Sequence, residues 1–180
     1  MSKELKPIKR SKQLKPLSKD HHDGLLFAWK IKQGLKNGTD VRLIAEYVQW
    51  FWMNHLEEHF REEEQILAPH LPADNQLLKR MLDEHQEIEA MVHINENIPD
   101  ATLLGNLAQA IDDHIRFEER QLFPYAERVI PEKELNLIYD QLPMEKAECG
   151  KWEREFWVSK KPPNNIMIKA YKIQTRSNNV

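Results

Sequence analysis

Cysteine is almost missing from this chain: Cys149 is the only one in 180 residues, which excludes an intrachain disulfide framework and any zinc or redox site of the CxxC type. A metal, if there is one, must therefore be held by histidine and carboxylate. Glycine is scarce at five residues, and the long stretches between turn signals repeat apolar residues every three or four positions, as amphipathic helices do. No run of 18 apolar residues occurs. The N-terminus "MSKELKPIKRSKQLKPLSKD" carries lysines without an apolar core, so neither a membrane span nor a signal peptide is supported and a cytoplasmic location is expected.

What is present is the composition of a soluble globular protein, 41% hydrophobic and 31% charged, long enough for one domain with a sizeable core. The net charge of -3 hides a division. Residues 1–20 hold seven Lys/Arg against two acids and residues 159–180 hold five against none, leaving 14 bases and 27 acids between them. Basic tails can touch nucleic acid or anionic lipid. The proline-interrupted "KPIKRSKQLKP" has no aromatic interleaving and no recognisable binding fold, so no nucleic-acid or membrane partner is expected and the ends read as solvated arms.

The fold class is all-α. A first helix starts near Leu17 and stops by "GLKNGTD", where Asn37-Gly38 is a C-terminal signal and Thr39 or Asp40 can cap the next helix. The second runs from Val41 to Leu67 and ends at "APHLP". The third spans Asp74 to Asn97, and the fourth follows Asp100 as N-cap and reaches Val129 before Pro131. Short connections force antiparallel neighbours, so the expected architecture is an up-down-up-down four-helix bundle. The expected organisation is a basic arm over 1–11, the bundle over 12–130, and a helical C-terminal extension with a basic tail over 131–180. In that extension "EKELNLIYDQL" and "MEKAECGKWEREFW" read as two shorter helices, and Ile166 to Ile173 as a short strand. Leu135, Leu137, Ile138, Leu142, Trp152, Phe156 and Trp157 can cover an end of the bundle or form a homodimer contact, core packing being the reading preferred.

Two stretches share one pattern: "HFREEEQILAP" from His59 and "HIRFEERQLFP" from His114. Each puts His first, Glu fifth and sixth, Leu ninth and Pro eleventh. Residues i and i+4 share a helix face, so His59 with Glu63, and His114 with Glu118, fall within apolar stripes that face the bundle interior. His85 joins Leu78 and Met81 on the third helix, and His21 keeps the register of Leu14, Leu17, Leu25, Ala28 and Ile31 on the first. A lone His-Glu pair is more often an ion pair. Two aligned pairs with two further inward histidines instead converge as the ligands of a metal site in a bundle core. Four imidazoles and two carboxylates exceed what one tetrahedral zinc needs, whereas two ions bridged by carboxylates fit iron or manganese. His22, His70 and His93 read as solvated or capping, and Glu57, Glu58, Glu62 and Glu64 as a charged outer face.

With these motifs, and with "DHH" at 20–22 and "DEHQEIE" at 83–89, the chain resembles a hemerythrin-like (HHE cation-binding) domain over about residues 12–130. The resemblance implies two non-haem iron ions in an oxo- or hydroxo-bridged di-iron centre, with His21, His59, His85 and His114 as terminal ligands and Glu63 and Glu118 as bridges. Glu119 keeps a claim, since oxygen-carrying hemerythrins place the last carboxylate five residues after the histidine. Those carriers also have a second histidine on the third helix. Here Met81 stands four residues before His85 and Glu89 four after, so His55 or Glu89 is a candidate replacement, with a supporting or packing role favoured for His55. The resulting count leaves about two open coordination positions on two six-coordinate ions. The function expected is binding of O2 or a related diatomic or peroxide, in oxygen, nitric oxide or peroxide response or in iron handling. The alternative is a regulatory or interaction module with a structural metal.

Overall fold

The computed structural model describes residues 10–143 and 150–159, and it is helical, with no strand among the described residues. Helix α1 is Lys15–Lys36. Its end is a Schellman arrangement: the Gly38 N–H donates to the Leu35 carbonyl and the Thr39 N–H to the Gly34 carbonyl, which needs the positive φ of 72° that Gly38 adopts. Helix α2 covers 41–70 and is capped by Asp40, whose side chain accepts from the Arg42 N–H. Helix α3 is Gln76–Asn97, capped by Asn75. Helix α4 covers 101–129, capped by Asp100, which accepts from the Thr102 and Leu103 N–H groups. Each such cap contributes about 1 kcal/mol. A fifth helix, α5, is Glu132–Gln141 and opens after Pro131.

Two helices depart from uniform α geometry. Within α2, Trp52–Leu56 and Glu63–Leu67 are π turns, and Ala68–His70 is a 3-10 turn. Within α4, Glu118–Leu122 is a π turn. The Glu63 and Glu118 carbonyls accept from the N–H five residues on, at Ala68 and Phe123. Both wide turns directly precede the prolines of the repeated motif, Pro69 and Pro124. A proline offers no N–H to the carbonyl four residues back and crowds it with its ring, and one extra residue in the turn relieves that conflict. A wider turn also advances each residue by less than an α-helix does, which returns Leu67 and Leu122, both buried, to the inward face.

The apolar core forms two clusters. One fills the end where α1 and α3 finish, with Phe27, Ile31, Tyr47, Val92 and Leu104. The other fills the end where α1 and α3 begin, with Leu14, Leu67, Met81, Leu122 and Phe123. Burying each such side chain contributes roughly 1.5–3 kcal/mol. Leu135, Ile138 and Leu142 of α5 close the second end, whereas Leu137, expected to pack with them, is 49% exposed on the other face of that helix. Phe156 closes the first with Trp152 and Trp157, its ring lying where a side chain on Gly34 would be. The C-terminal segment thus packs on the bundle, although a second C-terminal helix is not formed where it is described: 150–155 has no helix and 156–157 is a turn. Here the docking of Phe156, with the Thr39 hydroxyl donating to its carbonyl, takes precedence over local helical spacing. Residues 144–149, with Cys149, the expected strand at 166–173 and the first nine residues lie outside the described residues. No helix among the described residues is long and apolar enough to cross a membrane.

Candidate metal centre

Between the two apolar clusters lies a polar layer. His21, His59, His85 and His114 are all at most 4% exposed, and Glu63 and Glu118 are wholly buried. The six come from four helices and meet: the His21 Nε2 is 3.1 Å from a Glu118 oxygen and 3.7 Å from a Glu63 oxygen, while the His59 Nε2 is 3.5 Å from Glu63. Across the layer the His85 Nε2 is 3.3 Å from Glu63, and the His114 Nε2 is 3.3 Å from Glu118. The donor atoms form two overlapping groups, His21, His59, Glu63 and Glu118, and Glu63, His85, His114 and Glu118, each within 4.8 Å. Both carboxylates belong to both groups.

The outer ring nitrogens have their own partners. The Nδ1 of His21 is 2.7 Å from Glu119, that of His85 is 2.8 Å from Glu64, and that of His114 is 2.8 Å from Glu84. The Nδ1 of His59 faces Asp20 at 3.5 Å. A carboxylate there fixes the proton on Nδ1 and turns the Nε2 lone pair inward, raising the basicity of the ring as a ligand. Phe60 stacks on His85 at 3.8 Å and Phe123 on His21 at 5.3 Å, which restrains both rings.

Inside this shell the protein alone leaves its buried groups unsatisfied. Both oxygens of Glu63 and of Glu118, and the Nε2 atoms of His21 and His59, have no aligned hydrogen-bond partner, and the Nε2 atoms of His85 and His114 face each other at 3.1 Å. An unsatisfied buried polar group costs about 1–3 kcal/mol, and more when charged. Protons can serve as one substitute for cations. Burial lowers the His21 pKa, yet Glu118, Glu119 and Glu63 outweigh it and hold the imidazole well above its ordinary value. His85 is likewise opposed by burial and pushed up to about 9 by Glu63 and Glu64. Burial raises Glu63, but His59, His21 and His85 pull it well below the usual carboxylate range. Against burial, His21, Ser18 and Arg10 bring Glu119 to about 2. The donor set therefore fits cations: oxygen and nitrogen lone pairs converge, and both oxygens of Glu63 and of Glu118 lack an aligned protein donor.

All six residues expected to converge do so. Three other expectations fall differently. Glu89 points outward, exposed and 3.7 Å from His93, so it is no replacement for the absent histidine. Glu119 lies behind the His21 ring and outside both donor groups. Glu62 is 6% exposed and lines a cavity, so it is not on the outer face. His55 is half-buried, stacked on Phe51 at 4.7 Å and outside the donor groups. Met81 is fully buried in the apolar cluster below the site.

Of the four carboxylates behind the rings, the sequence singles out only Glu119, as a possible ligand, and Glu64, as an outer-face residue, although each is adjacent to a core residue: Asp20-His21, Glu63-Glu64, Glu84-His85 and Glu118-Glu119. A neighbour on a helix is turned by about 100°, so it cannot reach the ring beside it. It reaches the ring on the next helix.

The model for the hemerythrin HHE cation binding domain matches residues 19–126, a span that contains the whole polar layer. Neither the curated proteins nor the solved structures give a match. The chain belongs to the hemerythrin HHE cation-binding family.

Proposed function

We propose that this protein holds two non-haem iron ions in the bundle core and binds O2, nitric oxide, peroxide or a related small ligand there. The observation that carries the reading is the sharing of Glu63 and Glu118 between the pairs His21/His59 and His85/His114. His21 and His59 would hold one ion and His85 and His114 the other, with Glu63 and Glu118 available to both. Nitrogen and oxygen donors in that number suit iron and exceed the need of one zinc. Bound iron supplies the electrons and the open coordination positions that binding or reduction of such a ligand requires.

The protein's share is positional. Glu119, Glu64, Glu84 and Asp20 orient the four rings, and the buried Trp52, Ile111 and Leu122 restrict water near them. A cavity whose wall includes His21, His59 and His114 leads to one side of the layer and gives a ligand its route. Residues 12–130 are the metal-binding unit in this reading, with α5 and the 150–159 segment as covers of its two ends. A reducing compartment such as the cytoplasm suits a protein that must be loaded with ferrous iron.

Elemental analysis of anaerobically purified protein, with ultraviolet-visible spectra before and after air, tests the proposal. Two irons per chain and a new charge-transfer band on oxidation are expected. One zinc, or no metal with an unchanged fold, would overturn it and leave a structural or interaction module as the better account.

A further inference from the structure

Three of the four core histidines turn Nδ1 to a carboxylate at hydrogen-bond distance, 2.7 Å for His21 and 2.8 Å for His85 and His114. His59 does not. Its Nδ1 stands 3.5 Å from Asp20 with no aligned partner, on a side chain only 6% exposed. A buried ring nitrogen left this way calls for something other than the protein to meet it. One donor atom from each of Asp20, His59 and Glu62 lies within 4.8 Å of the other two, and the His59 atom that faces Asp20 is Nδ1. Donors bound to one first-row cation at about 2.0–2.2 Å stand about 3–4 Å apart. The separation of Nδ1 from Asp20 is long for a hydrogen bond and suits two ligands of one ion. Glu62 follows His59 by three residues on α2, so the two share a helix face.

The second motif has no such group. Phe117 stands there in place of Glu62, and Glu84 is hydrogen-bonded to the His114 Nδ1. Asp20, His59 and Glu62 all line the cavity of about 640 Å³, whereas the shared carboxylates Glu63 and Glu118 do not. A cation in the cavity therefore reaches Asp20 and Glu62 before it reaches Glu63 and Glu118. Lys12, Lys15, Lys19 and Asp23 line the same cavity, but all four are exposed, where solvent and salt weaken their fields. The buried Glu62 carboxylate is screened far less.

We propose that the His59 Nδ1, Asp20 and Glu62 form a further cation site, which receives a divalent first-row transition ion from the cavity before that ion enters the shared layer. One imidazole nitrogen with carboxylate oxygens is a donor set for such an ion. A neutral imidazole offers one lone pair, so His59 serves either this site or, through Nε2, the layer. The site is thus a stage in loading and not the place of a permanent third ion. On transfer the ion exchanges Nδ1 for Nε2, and the single ring proton makes the opposite move through solvent, so charge is conserved. The inference rests on the reading of the layer as a metal centre, but not on that metal being iron.

Cobalt(II) uptake by the metal-free full chain, followed by stopped-flow visible absorption and by final metal content, tests it. In the unmutated chain the uptake rate should saturate with cobalt concentration, because a complex at Asp20, His59 and Glu62 forms first. Glu62→Gln should abolish that saturation and slow uptake by about tenfold or more, while the final content stays at two ions per chain. Asp23→Asn removes an acid of the cavity that lies outside the donor group, and should change the rate by less than about twofold. A rate linear in cobalt for the unmutated chain, or an unchanged rate in Glu62→Gln, would overturn the proposal. Equal slowing by Asp23→Asn would overturn it too, by showing that only the net charge of the cavity matters. If Glu62→Gln loses its helical circular dichroism, saturation in the unmutated chain and its loss in Asp20→Asn decide instead. Two cobalt ions taken up with the overturning kinetics would sink the loading site alone. No uptake by the unmutated chain would sink the metal-centre reading, and the loading site with it.

Discussion

Asp20-His21 on α1 and Glu84-His85 on α3 perform the same two tasks, and so do His59-Glu63-Glu64 on α2 and His114-Glu118-Glu119 on α4. In each helix pair the acid before the first histidine faces the Nδ1 of the second, Asp20 to His59 and Glu84 to His114. The acid after the shared carboxylate crosses to the other pair, Glu64 to His85 and Glu119 to His21. The halves nevertheless differ in closure. Asp20 is one methylene shorter than Glu84 and stands 3.5 Å from its ring, where Glu84 stands at 2.8 Å. Glu62 occupies the place that Phe117 fills in the second motif, and Phe117 is sealed under the Arg80 guanidinium at 4.0 Å. The cavity opens beside Asp20 and Glu62 and not beside their counterparts. One repeated motif thus makes the donors equivalent, while small differences around it decide from which side they can be reached.

The comparison is broken most severely at the carboxylates common to both halves. Glu63→Ala and Glu118→Ala should each remove most bound metal, with far less than one ion per chain remaining by elemental analysis, because each removes an oxygen from both donor groups. Retention of one ion in either variant would mean that the halves bind independently.

Protons come next. In the metal-free protein His85 titrates near 9 and His21 well above its ordinary value, so the stability they contribute is complete below about 6.5 and is lost as pH rises through about 9. Glu63 and Glu119 are shifted down; their contribution is complete above about 4.5 and is lost as pH falls toward 2 for Glu119. Metal-free protein should therefore melt highest between about pH 4.5 and 6.5. Metal must displace the ring protons, so affinity measured against a chelator should rise steeply, by about tenfold per pH unit or more, from pH 6 to 9. A flat profile would show that the rings are already neutral.

A smaller effect distinguishes the supporting acids. Glu84→Gln should weaken metal retention by about 10–100-fold, the usual cost of losing a carboxylate behind a ligand histidine. Asp20→Asn should cost less, because the contact it removes is longer. Asp20→Glu, which copies the second half, should tighten retention severalfold in the same chelator competition, and loss of metal in that variant would argue against equivalence of the two halves.

Apolar spacing at three and four positions was enough to place four helices, and Asp40 and Asp100 marked two of their starts, because these signals are local. The inward direction of His21, His59, His85 and His114 was legible for the same reason: a histidine in an apolar stripe must face the core. The supporting acids were not legible. Glu62 and Glu64 flank Glu63 by about 100° on either side of a helical wheel, yet Glu62 is buried and Glu64 reaches across to His85, and only the neighbouring helices distinguish them. Glu89 stands one turn after His85, where spacing makes it a candidate ligand, yet it is exposed beside His93. The C-terminal stretch 150–157 has helical spacing of aromatics, but a ring docked beside Gly34 holds it in another form.

Residue type and spacing suffice for the all-α class, the repeated His-Glu donors and the burial of six polar residues that require a cation or protons, since helical period and the cost of burying charge are local properties. Which acid supports which ring, and that a cavity opens on the Asp20 and Glu62 side of the layer while Phe117 lies under Arg80 on the other, follow from how the helices pack. Those outcomes depend on distances between helices, where one methylene or one aromatic ring changes what touches what.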